Sequence, residues 1–379
     1  MKDMRILHVG KFYPIKGGVE KVMYDLCTGL SSRGIRCDML CASEDNVSRE
    51  IIINDYFTVY TCSTLLKFSG AYISLSMIGK LKVICKRYDI IHIHYPDPTA
   101  NLALRFSGFT GKVIMHFHGD LQKSKVLLAI VKPLNNWVIK RSDLIVGTTP
   151  VYVKDSGTLK NVQQKCTYLP IGTEGMGEKD DEKVGIIKSK YPGKKIVFSL
   201  GRLVPYKGYE YLIDAARFLP DDYVVLIGSG GPLKNKLIKQ IAESHLEEKV
   251  YLIGRISDED LPNYYWACDL YCLSSINKAE AFAIVQIEAM SCGKPIVATK
   301  IKGSGVPWVN EDGVSGVNVD PEDSLALAEG IKKVLGQDYL KFSEGSKNRY
   351  LAFFTMDRMM ERAISIYNAV YNNNIKNIL

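Results

Sequence analysis

Apolar residues recur along the chain with two different periods. Short β-rich runs at Met4–Val9, Cys37–Cys41, Asp89–His94, Lys112–His116 and Asp143–Thr148 predict strands. Between most of them the spacing is helical. Val22, Met23, Leu26 and Leu30 share one face of a helix predicted over Val19–Leu30, after a loop at Gly10–Gly18. A second series opens with a strand at Lys195–Leu200. It continues with helix Tyr206–Phe218, strand Tyr223–Gly228, helix Leu233–Glu243, strand Val250–Gly254, helix Glu259–Cys268, strand Asp269–Leu273, helix Phe282–Ser291 and strand Pro295–Thr299. Beyond Asp320 the pattern is helical almost to the end, with a frayed tail from Asn372.

Strands alternating with helices of about 10–15 residues build parallel sheets. The pattern therefore predicts an α/β protein with two doubly wound domains. Residues 1–172 form the first, 173–193 a linker rich in Gly, Lys, Asp and Glu, and 194–350 the second. Residues 351–379 form a C-terminal helix expected to cross back to the first domain.

Composition narrows the class. With 379 residues, 46% apolar and 24% charged, the chain has the balance of a globular protein. No apolar run approaches the roughly 18 residues of a membrane span, and no secretory segment opens the chain, so a cytoplasmic address is expected. The nine cysteines include no Cys-x-x-Cys pair and no second ligand pair, which reads as buried thiols in a reducing compartment rather than a metal framework. Charge is uneven: residues 1–170 carry a net +10 and the remainder −2. A basic first half suits an anionic partner such as a lipid headgroup or a phosphate. No base-reading motif accompanies it, so nucleic acid is not expected.

Open α/β sheets bind ligands beyond the carboxyl ends of their strands, so the chemistry lies in the loops that follow strands. After Lys195–Leu200 comes Gly201-Arg202-Leu203-Val204-Pro205-Tyr206-Lys207-Gly208. Arg202 offers a planar fork and Lys207 a point charge, and both can converge on one anion. After Asp269–Leu273 comes Glu280-Ala-Phe-Ala-Ile-Val-Gln-Ile-Glu288. A helix starting at Phe282 leaves the amides of Phe282, Ala283 and Ile284 without intrahelical partners, which makes an anion site. Glu280 stands just before it and Glu288 about one turn inside, each able to accept from hydroxyls.

The pair Gly-Arg-Leu-x-x-x-Lys-Gly and Glu-x₇-Glu resembles the retaining glycosyltransferases of family 4. Further matches are Gly17-Gly18-Val19-Glu20, His116-Phe117-His118-Gly119-Asp120, and Leu226-Ile227-Gly228 running to Gly231-Pro232-Leu233. The resemblance spans about residues 4–368. Leu7-His8-Val9-Gly10-Lys11-Phe12-Tyr13-Pro14, Ala42-Ser43 and Gly303-Ser304-Gly305-Val306 are similar to the bacterial O-antigen mannosyltransferases within it.

The resemblance implies the GT-B fold, two Rossmann-like domains with a cleft between them. It implies transfer of a sugar, foremost mannose from GDP-mannose, onto a polyprenyl-diphosphate-linked glycan in surface polysaccharide assembly. Arg202 and Lys207 would neutralise the donor diphosphate, Glu280 would hold the donor sugar and Glu288 the ribose. Gly17 and Gly18 would let the first-domain backbone approach the phosphate. His118 would lie near the donor sugar's C6 hydroxyl and the acceptor, with Tyr95 and Asp120 on the acceptor side. The base would lie near Gly228 and Gly254–Ile256, within reach of Arg255. His116 is expected to face away from His118 as a structural residue.

Two departures stand out. Ala283 occupies a position where many relatives carry glycine, and Gly228-Ser-Gly-Gly-Pro232 has one glycine more than usual. Asp258-Glu259-Asp260 resembles a metal-binding triplet, but a helix start explains it, so no metal or other cofactor is expected.

Leu65–Arg87 and Leu121–Arg141 mix lysines with apolar and aromatic residues, which suits peripheral contact with an anionic membrane face. The competing readings are a UDP-sugar donor, a sugar-nucleotide 2-epimerase, a nicotinamide enzyme and an inactive scaffold. No Gly-x-Gly-x-x-Gly follows the first strand, and no Walker loop is present.

Overall fold

In the computed structural model, residues 4–15, 17–68, 71–119 and 125–379 are described. The chain divides into two compact units: Met1–Ile171 with Met359–Leu379, and Gly172–Arg358.

The first unit is built on an eight-stranded sheet. Its strands are β1 (Arg5–Tyr13), β2 (Arg36–Ser43), β3 (Arg49–Asn54) and β4 (Phe57–Cys62), then β7 (Ile90–Tyr95), β8 (Lys112–Phe117), β9 (Leu144–Gly147) and β10 (Cys166–Tyr168). A separate hairpin pairs β5 (Leu66–Phe68) with β6 (Ala71–Ile73). The order in the sheet is β10-β9-β8-β7-β1-β2-β4-β3, parallel except for the edge strand β3. The central strands bury both faces, which is why they read as continuous apolar runs.

The strand order reverses between β1 and β7. There β1 carries a bulge: Val9 pairs with Leu40 but Phe12 with Ala42, so Gly10 and Lys11 lie outside the ladder. The helix Gly18–Ser31 covers one face. Helix Met356–Tyr371 reaches this unit from Met359 onward. Gly29 makes room for it, since a Cβ there would stand 2.3 Å from Met360 Sδ.

The second unit holds β11 (Lys195–Leu200), β12 (Tyr223–Gly228), β13 (Val250–Gly254), β14 (Leu270–Leu273), β15 (Ile296–Thr299) and β16 (Gly316–Val319). All pair in parallel, in the order β13-β12-β11-β14-β15-β16, which is the doubly wound Rossmann order. Val197, Leu212, Ile213, Val225, Ile227, Leu270, Val297 and Ile331 form its core.

Three expectations need correction. The segment 173–193 is not a plain linker. It carries the helix Asp181–Ser189, capped by the Asp180 carboxylate, and Val184 and Ile187 pack against Ala267, Tyr264 and Trp266. The helix expected over Tyr206–Phe218 is broken into a 3₁₀ turn at Pro205–Lys207, an α-helix at Tyr209–Ala215 and a second 3₁₀ turn. The break lies at Gly208, φ 62°, where a Cβ would stand 2.2 Å from the Ser274 carbonyl oxygen. The helix expected from Phe282 begins two residues later, at Ile284, because Ala283 takes a left-handed conformation with φ 62°.

Candidate functional site

The second sheet reverses its strand order between β11 and β14, and ligands of such sheets bind beyond the carboxyl ends at that point. The loops leaving these two strands carry the expected residues. Lys207 Nζ lies 2.6 Å from Glu280 Oε2, and Ser275 Oγ donates to the same oxygen at 2.8 Å. Both charged side chains are buried, at 8% and 7% exposure. Ser274 Oγ donates to the Lys207 carbonyl at 2.9 Å, which fixes the backbone beneath the ammonium. A Cβ on Gly201 would stand 3.1 Å from Lys207 Nζ, so the lysine folds back over the start of its own loop.

Arg202, next along, is exposed. Burial raises the Tyr206 hydroxyl above its ordinary pKa; Glu280 also raises it, while Lys207 and Arg202 lower it. All three charged groups therefore lie within electrostatic reach of one phenol. The sequence reading gave Lys207 and Glu280 separate parts of a donor, and the structure joins them as one ion pair.

Helix Ile284–Ser291 begins beside this pair in sequence. Its left-handed start moves the amides without intrahelical partners from Phe282–Ile284 to Ile284 and Val285, since Gln286 N–H already donates to the Ala283 carbonyl at 2.9 Å. Phe282 itself is buried edge-on against Phe354. Glu288, one turn in, accepts from the Tyr265 hydroxyl at 2.6 Å.

On the other side of β11, the loops after β12 and β13 are tied to it. Gly201 N–H donates to Gly228 O, Leu203 N–H to Gly230 O, and Ser229 N–H to Gly254 O. A Cβ on Gly231 would stand 2.6 Å from the Leu203 backbone, so this glycine of the stretch lets the loop after β12 lie against the loop after β11. Arg255 lines a cavity of about 320 Å³ with Ile256, Ser257 and Tyr264.

A family model described as glycosyl transferases group 1 matches residues 180–349, and one described as glycosyltransferase family 4 matches residues 16–173. An O-antigen chain mannosyltransferase C of Escherichia coli is 30% identical over 96% of this chain and 98% of its own length. The chain belongs to the family 4 glycosyltransferases. A D-rhamnosyltransferase of Pseudomonas aeruginosa is 26% identical over 93% of this chain and 92% of that one. Among solved structures, Anabaena HepE in complex with UDP superposes with a TM-score of 0.76 at 19% identity, covering 97% of this chain and 100% of the other, which shows the shared GT-B fold.

In the glycosyltransferase's first unit, the bulge of β1 and the loop after β7 meet at the switch point. Lys11 N–H donates to Asp97 Oδ2 at 2.6 Å and its ammonium to Pro96 O at 2.8 Å. Burial lowers the Lys11 pKa, and Asp97 and Glu20 raise it. Gly17 is the cap residue of helix Gly18–Ser31, and a Cβ there would stand 2.3 Å from the Glu20 carboxylate. Lys11 also lowers the pKa of His118, after burial and His116, so the two groups are neighbours. Lys11 was not singled out from the sequence. The signal was its place just after the apolar run Met4–Val9, in the run of residues that resembles the mannosyltransferases.

Two further expectations are corrected here. His116 does not face away from His118: their rings stack with centroids 4.1 Å apart, because positions two apart on a strand share a face. Tyr95 is 2% exposed and stacks on Phe117, so its ring belongs to the core rather than to an acceptor surface. Asp120 lies outside the described residues. In the second unit, Ser257 Oγ accepts from Asp260 N–H at 3.1 Å and donates to its carboxylate at 2.8 Å, which accounts for the acidic triplet as a turn ahead of helix Leu261–Ala267. Among the described residues no helix is long and apolar enough to cross a membrane.

Proposed function

We propose that this glycosyltransferase moves mannose from GDP-mannose onto a polyprenyl-diphosphate-linked glycan in the assembly of a bacterial surface polysaccharide, with retention of configuration. The observation that carries the reading is the buried Lys207–Glu280 pair at the switch point of the second sheet, with Arg202 within electrostatic reach of the same Tyr206 hydroxyl. The two curated relatives are named for mannose and for rhamnose, its 6-deoxy form, which supports a manno-configured donor.

Breaking the bond between the sugar and the diphosphate builds negative charge on the leaving oxygen. Arg202 and Lys207 meet that charge, aided by the amides at the start of helix Ile284–Ser291. Glu280 accepts from donor-sugar hydroxyls while holding Lys207, and Glu288 accepts from the ribose. The base lies along Gly228 and Arg255. His118 serves the C6 hydroxyl and the acceptor. The acceptor hydroxyl attacks from the side the nucleotide leaves, and the departing phosphate takes its proton. No metal is required, since fixed cations take its place.

Contact with an anionic membrane face is part of the same reading. Leu65, Leu66, Leu75 and Val83 are exposed on the first unit, close in sequence to Lys80, Lys82, Lys86 and Arg87. The deciding experiment incubates the protein and a synthetic polyprenyl-diphosphate glycan with GDP-mannose, UDP-glucose, UDP-galactose or UDP-GlcNAc, with and without EDTA. Transfer from GDP-mannose alone, α-linked and indifferent to EDTA, is the expected result. Transfer from a UDP-sugar only would replace the donor, and conversion of a donor to its 2-epimer without acceptor would replace the reaction.

A further inference from the structure

Five of the six histidines in the chain gather in the first unit, on β1, β7 and β8 and just beyond. Four of them form one unbranched hydrogen-bonded chain with a tyrosine. His118 Nε2 lies 2.9 Å from His94 Nδ1, and His94 Nε2 lies 2.8 Å from His8 Nδ1. His8 Nε2 lies 3.0 Å from the Tyr367 hydroxyl, which lies 2.6 Å from His92 Nδ1. His8, His92, His94 and Tyr367 are all buried. Burial, followed by the neighbouring imidazoles and, at His118, Lys11, lowers the pKa of every histidine in the group. Each ring is therefore neutral, with one N–H and one lone pair.

A neutral imidazole that donates from one nitrogen must accept at the other. A tyrosine hydroxyl has one proton and two lone pairs; were His8 and His92 both to donate to Tyr367, its own buried O–H would be left over, beyond its two contacts to those rings. With that proton used inside the chain, two arrangements satisfy it, and they run in opposite directions. In one, His118 donates from Nε2 and the series ends with the Tyr367 hydroxyl donating to His92. In the other, His92 donates to Tyr367, Tyr367 to His8, His8 to His94 and His94 to His118. The far end separates them. His92 Nε2 is buried with no partner. The first arrangement puts an orphaned N–H there and the second a bare lone pair, and an orphaned buried N–H is the rarer fault.

A metal held by His92, His94 and His116 does not explain their gathering. The rings of His92, His94 and His116 stack with interplanar angles of 16° to 30°. In-plane lone pairs of nearly parallel, stacked rings do not meet at one ion about 2.0–2.1 Å away. His94 also has both nitrogens engaged.

We propose that Tyr367 is a positioning residue that, through His8 and His94, holds His118 in the Nδ1–H tautomer, so that His118 offers an N–H donor to a ligand oxygen and is not a base. The functional half rests on the reading of His118 as a group facing donor or acceptor. The inference gives the C-terminal helix, which carries Tyr367, a part in setting the site.

The test is long-range ¹H–¹⁵N correlation on the full chain labelled with ¹⁵N-histidine at neutral pH, assigned with His118→Gln and His94→Gln, the exposed His245 serving as internal reference. The expected result is Nδ1–H on His8, His92, His94 and His118 in the wild-type protein. In Tyr367→Phe the expected result is loss of the pure Nδ1–H signature at His118. An Nε2–H tautomer at His118 in the wild-type chain overturns the proposal without any variant, so a poorly folded Tyr367→Phe does not shelter it. An unchanged His118 in a folded Tyr367→Phe also overturns it. These spectra need no substrate, so failure of sugar transfer and failure of the relay are read separately.

Discussion

The ammonium of Lys207 sits 2.6 Å from the carboxylate of Glu280, although 73 residues separate them in sequence. Both are buried, so neither charge is there for solubility. Breaking such a pair by removing one partner leaves an uncompensated buried charge and costs about 3–5 kcal/mol, whereas replacing both by apolar groups is often neutral. Lys207→Ala is therefore expected to lower the unfolding midpoint of the second unit, and Lys207→Met with Glu280→Leu to restore most of it. Turnover should stay down by more than ~100-fold in both, and in Arg202→Ala, whose exposed side chain leaves the fold intact. Denaturant unfolding beside a transfer assay checks this. A double variant with both stability and activity near normal would refute the catalytic role.

Acidification should strike the first unit. Burial holds His8 and His116 at a pKa of about 3, against about 6.5 in an unfolded chain. Below pH 6.5 the unfolded chain binds protons that the folded one refuses, so stability falls as pH falls, down to about 3. At pH 5 each of these two histidines is expected to have removed about 2 kcal/mol. His92, His94 and His118 are lowered as well and act in the same direction. Calorimetry at pH 7.5 and pH 5 should show a large drop in Tm, smaller in His116→Leu. An unchanged Tm at pH 5 would show that these rings are not buried neutral.

Much of the architecture was legible because it is local. β11 and β12 begin and end where the apolar runs do, since buried parallel strands have no reason to alternate. The edge strand β3 was missed because Ile52 and Ile53 face solvent, so no inside–outside pattern marks it. β16 is four residues long and only its first is buried. At the candidate site, loop position and spacing single out Arg202, Lys207, Glu280 and Glu288, and the fold brings Lys207 and Glu280 into contact. Their partners are not singled out: Ser275 stands five residues before Glu280 in the same loop without any spacing to mark it, and only the fold brings Tyr265, on helix Leu261–Ala267, to Glu288. The histidine relay was hidden for the same reason, since it joins β1, β7 and the C-terminal helix.

Ala283 offers a gain-of-stability test. A residue with a Cβ in the left-handed region costs roughly 1–2 kcal/mol, and glycine avoids that at some cost in unfolded-state entropy. Ala283→Gly is expected to stabilise the second unit by about 1 kcal/mol, read as a raised unfolding midpoint. Because its methyl also stands beside the amides of the helix start, donor KM should fall or hold. A destabilised Ala283→Gly would mean that the methyl contributes more packing than the backbone gains by losing it.

The last prediction concerns the ribose. Tyr265 is buried, and its hydroxyl is pushed well above its ordinary pKa, first by burial and then by Glu288, so it stays a donor. It donates to Glu288 Oε2 at 2.6 Å, which fixes the rotation of that carboxylate. Losing one such bond is worth about 1 kcal/mol, or roughly fivefold in binding. On the proposed reading of Glu288 as the ribose acceptor, remote from the reacting carbon, Tyr265→Phe should raise the donor KM about fivefold with kcat nearly unchanged. The control is a donor whose ribose lacks the hydroxyls that Glu288 accepts from. With that donor, wild type and Tyr265→Phe should bind alike; a fivefold gap persisting there would place the action of Tyr265 in packing rather than in aiming Glu288.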